Sequence, residues 1–238
     1  MQAIVPAAGE GTRLRPLTDD RPKGLVEVAG KPILSHCFES LLTAGIDEIV
    51  VVVGYRGDDI VDYYGDDFRG VPLSYVWQEE QLGLGHAVLA AEGDVSGDVV
   101  VWNGDNVGAV DLSSMVERHR ETDATATLLV DEVSRERARE GGVFVIEGGE
   151  PVGVVEKPSE PPSTLIPLGV FAFSPRVFEA LRRVEPSARG EYELADAVDR
   201  LFDEEGGVEL VRLDGWVTNV NTVADVERVS RRVEDDDA

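Results

Sequence analysis

The stretch Ala3-Ile4-Val5-Pro6-Ala7-Ala8-Gly9-Glu10-Gly11-Thr12-Arg13, with Arg21-Pro22-Lys23 shortly after it, decides the reading of this chain. The apolar Ala3-Ile4-Val5 reads as a buried strand. It runs into small residues that let a ligand approach the backbone, and two glycines that let N–H groups turn toward an anion. Arg13 and Lys23 add fixed positive charge where a polyphosphate would lie. Two common glycine-rich motifs do not fit. A dinucleotide fingerprint needs glycine where Leu14 stands. A phosphate loop ending at Gly30-Lys31 needs glycine at Leu25 and Ser or Thr at Pro32.

Working outward, further motifs follow in order: Gly30-Lys31-Pro32-Ile33-Leu34, Gln78-Glu79-Glu80-Gln81-Leu82-Gly83-Leu84-Gly85-His86-Ala87, Gly104-Asp105-Asn106, Val155-Glu156-Lys157-Pro158, Gly190-Glu191-Tyr192-Glu193-Leu194 and Trp216-Val217-Thr218-Asn219-Val220-Asn221-Thr222. Together with the first stretch they span nearly the whole chain. In this set the chain resembles the sugar-1-phosphate nucleotidylyltransferases, including glucose-1-phosphate thymidylyltransferases and the uridylyltransferase domain that acts on N-acetylglucosamine 1-phosphate. The resemblance implies an α/β fold of the nucleotide-diphospho-sugar transferase type: a Rossmann-like, doubly wound, mostly parallel sheet with a β-rich sugar-binding portion.

The chain has 238 residues, of which 42% are hydrophobic, enough for one large domain with a sizeable core. Residues 1–122 read as a nucleotide-binding half and 123–238 as a sugar-binding half with C-terminal helices. Neither a signal peptide nor a C-terminal hexapeptide-repeat extension is expected. With 22 basic and 47 acidic residues the formal charge is −25, which argues against nucleic acid and anionic membranes as partners. Both expected substrates are anions, so they do not explain the acidity. High cytoplasmic salt does, because it screens self-repulsion within about 3 Å. Cys37 is the sole cysteine and sits on an apolar helical face, so core packing is expected. These features fit a cytoplasmic protein.

Pro32 precedes a helix with Leu34, Cys37, Phe38, Leu41 and Leu42 on one face, closed by Gly45. Residues 49–53 are a β-branched run typical of a strand buried on both faces. A weaker strand over 73–77, a helix with Leu84, Ala87, Val88 and Ala91 inward, and a strand over 99–102 complete the first half. Beyond Asp123 the pattern predicts strands over 125–133, 143–147, 152–156 and 168–173. Turns are expected at Gly141-Gly142 and Gly148-Gly149, and a loop over 159–162. Helices near 175–183 and 193–204, a strand over 208–213 and a last helix end the chain. Thr222 and Asp225 form a capping box for that last helix. Glu234-Asp235-Asp236-Asp237 reads as a solvated acidic tail.

The chemistry implied by the resemblance needs no protein nucleophile. A sugar-1-phosphate oxygen attacks the α-phosphorus of a nucleoside triphosphate, and pyrophosphate leaves. The protein must hold two polyanions together, with Mg²⁺ as the expected cofactor. By resemblance, Ala7, Ala8, Gly9, Gly11, Thr12, Arg13, Lys23, Gln78 and Gly83 bind the nucleotide, with Arg13 and Lys23 on the triphosphate. The Gln78 amide, donor and acceptor at once, suits the uracil or thymine edge, so UTP or dTTP is favoured, while a flipped amide would serve cytosine as well and leaves the base open. Gly142, Glu156 and Lys157 meet the sugar phosphate. Asp105 follows a buried strand at its carboxyl end, where open α/β sheets bind ligands, and is the first metal ligand. Asn219 is favoured as the second, with Asn221 also qualified. His86 is assigned a structural role. Leu84 and Pro167 replace residues that are often polar in relatives, which leaves the sugar open. A nucleotidyltransferase acting on a non-sugar phosphate such as phosphocholine, and a non-catalytic nucleotide or sugar-phosphate sensor, remain alternatives. A nucleotide-sugar glycosyltransferase would want an Asp-x-Asp motif.

Overall fold

A computed structural model of the chain describes residues 1–204 and 206–236. The first strand, β1 (Gln2–Pro6), gives way to the glycine-rich loop and a short hairpin, β2 (Glu27–Val28) and β3 (Lys31–Pro32). Then α1 (Ile33–Thr43), β4 (Glu48–Val53), α2 (Gly57–Tyr64), β5 (Asp67–Phe68) and β6 (Val71–Trp77) follow. Next come α3 (Leu84–Ala90), β7 (Val99–Trp102), β8 (Asn106–Val110), α4 (Ser113–Thr122) and β9 (Ala126–Glu132). The hairpin β10 (Gly142–Glu147) and β11 (Glu150–Glu156) precedes the long β12 (Leu165–Phe173). The described chain closes with α5 (Arg176–Leu181), α6 (Leu194–Leu201), β13 (Val208–Arg212), β14 (Gly215–Asn219) and α7 (Val223–Asp236).

Eight strands form one sheet in the order β13-β9-β12-β7-β1-β4-β6-β5. β12 runs antiparallel to both neighbours and β5 antiparallel to β6, while the other six strands share one direction. The mostly parallel, doubly wound expectation is therefore met. The sheet continues across residue 123, since β9, β12 and β13 extend the layer begun by β1, β4 and β7.

Alternation along the strands divides the core into two layers. Ile4, Val50, Val52, Val99 and Val101 face α3, α5 and α6. Ala3, Val5, Val51, Val100 and Trp102 face α1 and α4. Cys37 is fully buried in the second layer, and burial pushes its thiol well above its ordinary pKa. A third cluster joins Leu14, Val28, Val107, Trp216, Val220 and Val229, and seats α7 beside the glycine-rich loop.

The structure corrects two expectations. Residues 141–142 are not a two-residue turn: Gly142 opens β10 and pairs with Glu156. The acidic run is solvated as expected, residues 234–236 being exposed, but as far as it is described it is helix and not tail. Residues 234–236 continue α7, where Asp236 accepts a hydrogen bond from Trp216 Nε1; residue 237 lies outside the described residues. The capping box is present, with Asp225 N donating to Thr222 Oγ1 at 3.2 Å and Thr222 N to Asp225 Oδ2 at 2.9 Å.

Candidate active site

Two cavities open at the carboxyl ends of β1 and β7. The first, about 350 Å³, is walled by Ala7, Gly9, Gly11, Thr12, Arg13 and Lys23 on one side and by Asp105 and Asn221 on the other. Its shape comes from backbone. Ala7 N donates to Val52 O at 2.8 Å, and Gly104 N to Pro6 O at 3.0 Å, which fastens the loops after β1 and β7 together. Gly11 lies in the left-handed region, φ 63°, where a Cβ would come within 2.9 Å of the Lys23 Cβ.

Ala8, Gln78 and Gly83 stand outside the walls of both cavities. Ala8 is buried, and its carbonyl accepts from Tyr55 N at 3.2 Å and from Gln81 Nε2 at 3.2 Å. Gln78 is only 5% exposed. Its Nε2 donates to Gly83 O at 3.1 Å and lies 2.9 Å from His86 Nδ1. The carbonyl of Gly83 can only accept, so it fixes which end of the Gln78 amide is nitrogen and makes His86 Nδ1 the acceptor. Gln78 Oε1 has no hydrogen-bond partner among the described residues. His86 thus acts structurally on Gln78.

The second cavity, about 440 Å³, is walled by Gly142, Glu156, Lys157, Asn219 and Arg137 among others. Lys157 Nζ lies 3.3 Å from Glu156 Oε1, and Lys157 itself adopts a left-handed φ of 45°. Arg189 binds Glu193 at 2.6 Å and approaches Glu156 at 3.6 Å. Burial pushes the Glu156 carboxyl above its ordinary pKa, against the pull of Lys157 and Arg189. Pro167 also lines this cavity and makes that part of its wall apolar.

Arg13, Leu84, Asn103, Asp105 and Asn221 line both cavities. At this seam Lys23 Nζ donates to Asp105 Oδ2 and to Asn221 Oδ1, each at 2.8 Å. Arg13 Nη2 reaches the same Asn221 oxygen at 3.1 Å. Backbone holds the partners in place: Val220 N donates to Asp105 O at 2.8 Å, and Asn221 N to Asp225 Oδ2 at 3.1 Å. The two asparagines are thereby separated. Asn221 joins Asp105 and Lys23, whereas Asn219 Oδ1 accepts from Arg137 Nη2 at 3.3 Å. Sequence reasoning passed over Arg137 and Asn103. The only signal for Arg137 was the basic spacing Arg135, Arg137, Arg139 ahead of Gly141-Gly142.

The family profile for nucleotidyl transferases matches residues 2–234. The chain belongs to the nucleotidyl transferase family. It is an enzyme of the transferase class. A UTP–glucose-1-phosphate uridylyltransferase, AglF, of Haloferax volcanii is 45% identical over 237 residues, covering 99% of this chain and 98% of that protein. A glucose-1-phosphate thymidylyltransferase of Streptomyces griseus is 39% identical, covering 98% of this chain and 66% of that protein. Among solved structures, a UTP-bound UGPase from Acinetobacter baumannii superposes with a TM-score of 0.86 at 26% identity, covering 98% of this chain and 92% of its own. The expectation of a sugar-1-phosphate nucleotidylyltransferase is borne out at this level, as is the nucleotide-sugar transferase fold. Relatives of this kind act on a nucleoside triphosphate and a sugar 1-phosphate, and the family uses divalent metal ions. The Haloferax relative accords with the high-salt reading of the acidic surface. Among the described residues, no helix is long and apolar enough to cross a membrane.

Proposed function

We propose that this enzyme transfers a uridylyl group from UTP to a sugar 1-phosphate, with glucose 1-phosphate as the acceptor. The observation that carries the reading is the pair of cavities meeting at Arg13, Asp105 and Asn221. The reaction joins two polyanions, and two adjoining chambers with cations and one carboxylate at their seam suit it. One phosphate oxygen of the sugar phosphate forms a bond to the α-phosphorus. The bond from that phosphorus to the bridging oxygen breaks, and pyrophosphate leaves with the electron pair. The attacking oxygen is already ionised, so no protein base is required.

In this reading Gly9, Gly11, Thr12, Arg13 and Lys23 hold the triphosphate. Arg13 and Lys23 take up the charge that grows on the leaving pyrophosphate. Gln78 reads the base through Oε1, because its nitrogen is committed to Gly83 and His86. A fixed acceptor pairs with the N3–H of uracil or thymine; the N3 of cytosine bears no hydrogen. UTP and dTTP differ there by one methyl group, a discrimination of about 1–3 kcal/mol at most. Lys157, Gly142 and Glu156 receive the sugar phosphate.

The proposed metal is Mg²⁺, held by Asp105 and Asn221 rather than Asn219. The donor set is oxygen only. A cationic group, the Lys23 ammonium, bridges the Asp105 and Asn221 oxygens at 2.8 Å each, so these two atoms already converge on one positive charge. One carboxylate and one amide suit an ion that completes its shell with phosphates and water. When bound, it supplies charge neutralisation between the phosphates.

Pyrophosphate release tests the reading, with UTP, dTTP, CTP, GTP and ATP each offered with a panel of sugar 1-phosphates, at Mg²⁺ saturation in concentrated potassium chloride. The highest kcat/KM is expected for UTP with glucose 1-phosphate. A purine nucleotide giving the highest value would overturn the base assignment.

A further inference from the structure

Arg137 stands on the short turn Arg137–Arg139 that leads into β10, and it lines the sugar-side cavity but not the nucleotide-side one. The wall of that cavity carries Asp105, Glu140, Glu156, Glu191 and Glu193. A dianionic sugar phosphate entering here meets net repulsion unless uncommitted cations receive it. Most of the nearby cations are committed. Lys157 is paired with Glu156, Lys23 with Asp105, and Arg189 with Glu193. Arg13 is shared with the other cavity. Arg137 is half-buried and forms no ion pair among the described residues; its guanidinium touches only the uncharged Asn219 Oδ1, at 3.3 Å.

We infer, resting on the uridylyl-transfer reading above, that Arg137 is a second phosphate-binding residue of the sugar 1-phosphate site and that Asn219 positions it. A guanidinium presents five N–H donors in a fixed plane, and one of them on Asn219 leaves the others for two phosphate oxygens. Asn219 ends β14 opposite Asn106, the residue after Asp105. It therefore aims Arg137 at the end of the cavity where the sugar phosphate must meet the nucleotide. This assigns Asn219 a role toward the acceptor substrate, distinct from that of Asn221.

Steady-state kinetics with both substrates varied, together with calorimetric titration of glucose 1-phosphate, test this on the full chain in concentrated potassium chloride. Arg137→Ala is expected to raise the KM and Kd for glucose 1-phosphate roughly 10- to 100-fold, as for loss of a charge-assisted hydrogen bond, with the KM for UTP within about twofold. Arg137→Lys, which keeps the charge but not the fork, is expected to recover part of the loss. Added guanidinium ion should lower the raised KM of Arg137→Ala. Asn219→Ala should weaken glucose 1-phosphate binding less, and add little to Arg137→Ala in the double variant, because both act through one group. An unchanged glucose 1-phosphate KM and Kd in Arg137→Ala, or an equal rise in the UTP KM, overturns the assignment while the uridylyl-transfer reading stands. A wild-type protein that neither binds nor turns over any sugar 1-phosphate defeats that reading and this inference together.

Discussion

The two cavities that meet at Asp105 are made of different material. The wall of the first cavity, proposed for the nucleotide, is largely backbone: strand ends locked by Ala7 N to Val52 O and Gly104 N to Pro6 O, with glycines where a Cβ would collide. The wall of the second cavity, proposed for the sugar phosphate, is largely side chain, with carboxylates and cations held by Glu156–Lys157, Arg189–Glu193 and Arg137–Asn219. Phosphate chains are alike in every nucleotide, and a rigid backbone cradle serves them all. Sugars differ by the placement of hydroxyls, and side chains on a hairpin and loops can be exchanged without disturbing the sheet.

The contrast breaks most severely if its shared member proves dispensable. Asp105→Ala should lower kcat by about 10³-fold or more, a loss of several kcal/mol in the barrier, with circular dichroism and thermal midpoint close to wild type. Turnover near wild type at saturating Mg²⁺ removes Asp105 from the metal role.

Next in size is the division of labour between the cavities. Lys23→Ala should raise the KM for UTP about 10- to 100-fold and leave glucose 1-phosphate affinity nearly intact, whereas Lys157→Ala should do the reverse. If titration with each substrate alone gives the opposite pattern, the two cavities have been exchanged.

The backbone-against-side-chain distinction can be sharpened with two matched substitutions. A Cβ at Gly104 would sit 2.5 Å from Pro6 O, so Gly104→Ala must shift one of two joined loops and should cost about 1–3 kcal/mol. At Gly142 the nearest atom is Pro167 Cγ at 3.3 Å, and Gly142→Ala should cost less than about 1 kcal/mol. Urea titration measures both; equal costs would mean that the two walls are equally rigid.

The smallest effect concerns Glu156. Burial raises its carboxyl above the ordinary range, so between the ordinary and the raised pKa the native state holds a proton that the unfolded chain has released. Stability from this group is fully present below the ordinary carboxylate pKa and falls as pH climbs through the raised one. Glu156→Gln removes that decline. Thermal midpoints from about pH 4 to pH 8 should converge at the acid end and favour the variant at the neutral end. A wild-type advantage that grows with pH would show that its ion pair with Lys157 outweighs burial.

Most of the parallel sheet was legible, because strands buried on both faces are continuous β-branched runs, as over 49–53 and 99–102. The elements missed have weaker signals. α2 and α4 are polar on most of their surface, and β8 and β14 pair only with each other, over Asn106–Val110 and Gly215–Asn219. Glu234 to Asp236 looked like tail because charge was visible in the sequence and the contact between Trp216 and Asp236 was not.

By itself the sequence determined the sheet, the family and the glycine-rich cradle, because these rest on local spacing: apolar runs, and glycines at fixed intervals before Arg13 and Lys23. Only the tertiary structure decided which asparagine stands with Asp105, that Gln78 is fixed through Gly83 and His86, and that Arg137 lines the second cavity. Asn219 ends β14 and Asn221 lies two residues beyond it, and their chemistry is identical. What separates them is the direction each side chain takes once β14 pairs with β8, a contact between residues more than a hundred positions apart, and once the local cap at Thr222 starts α7.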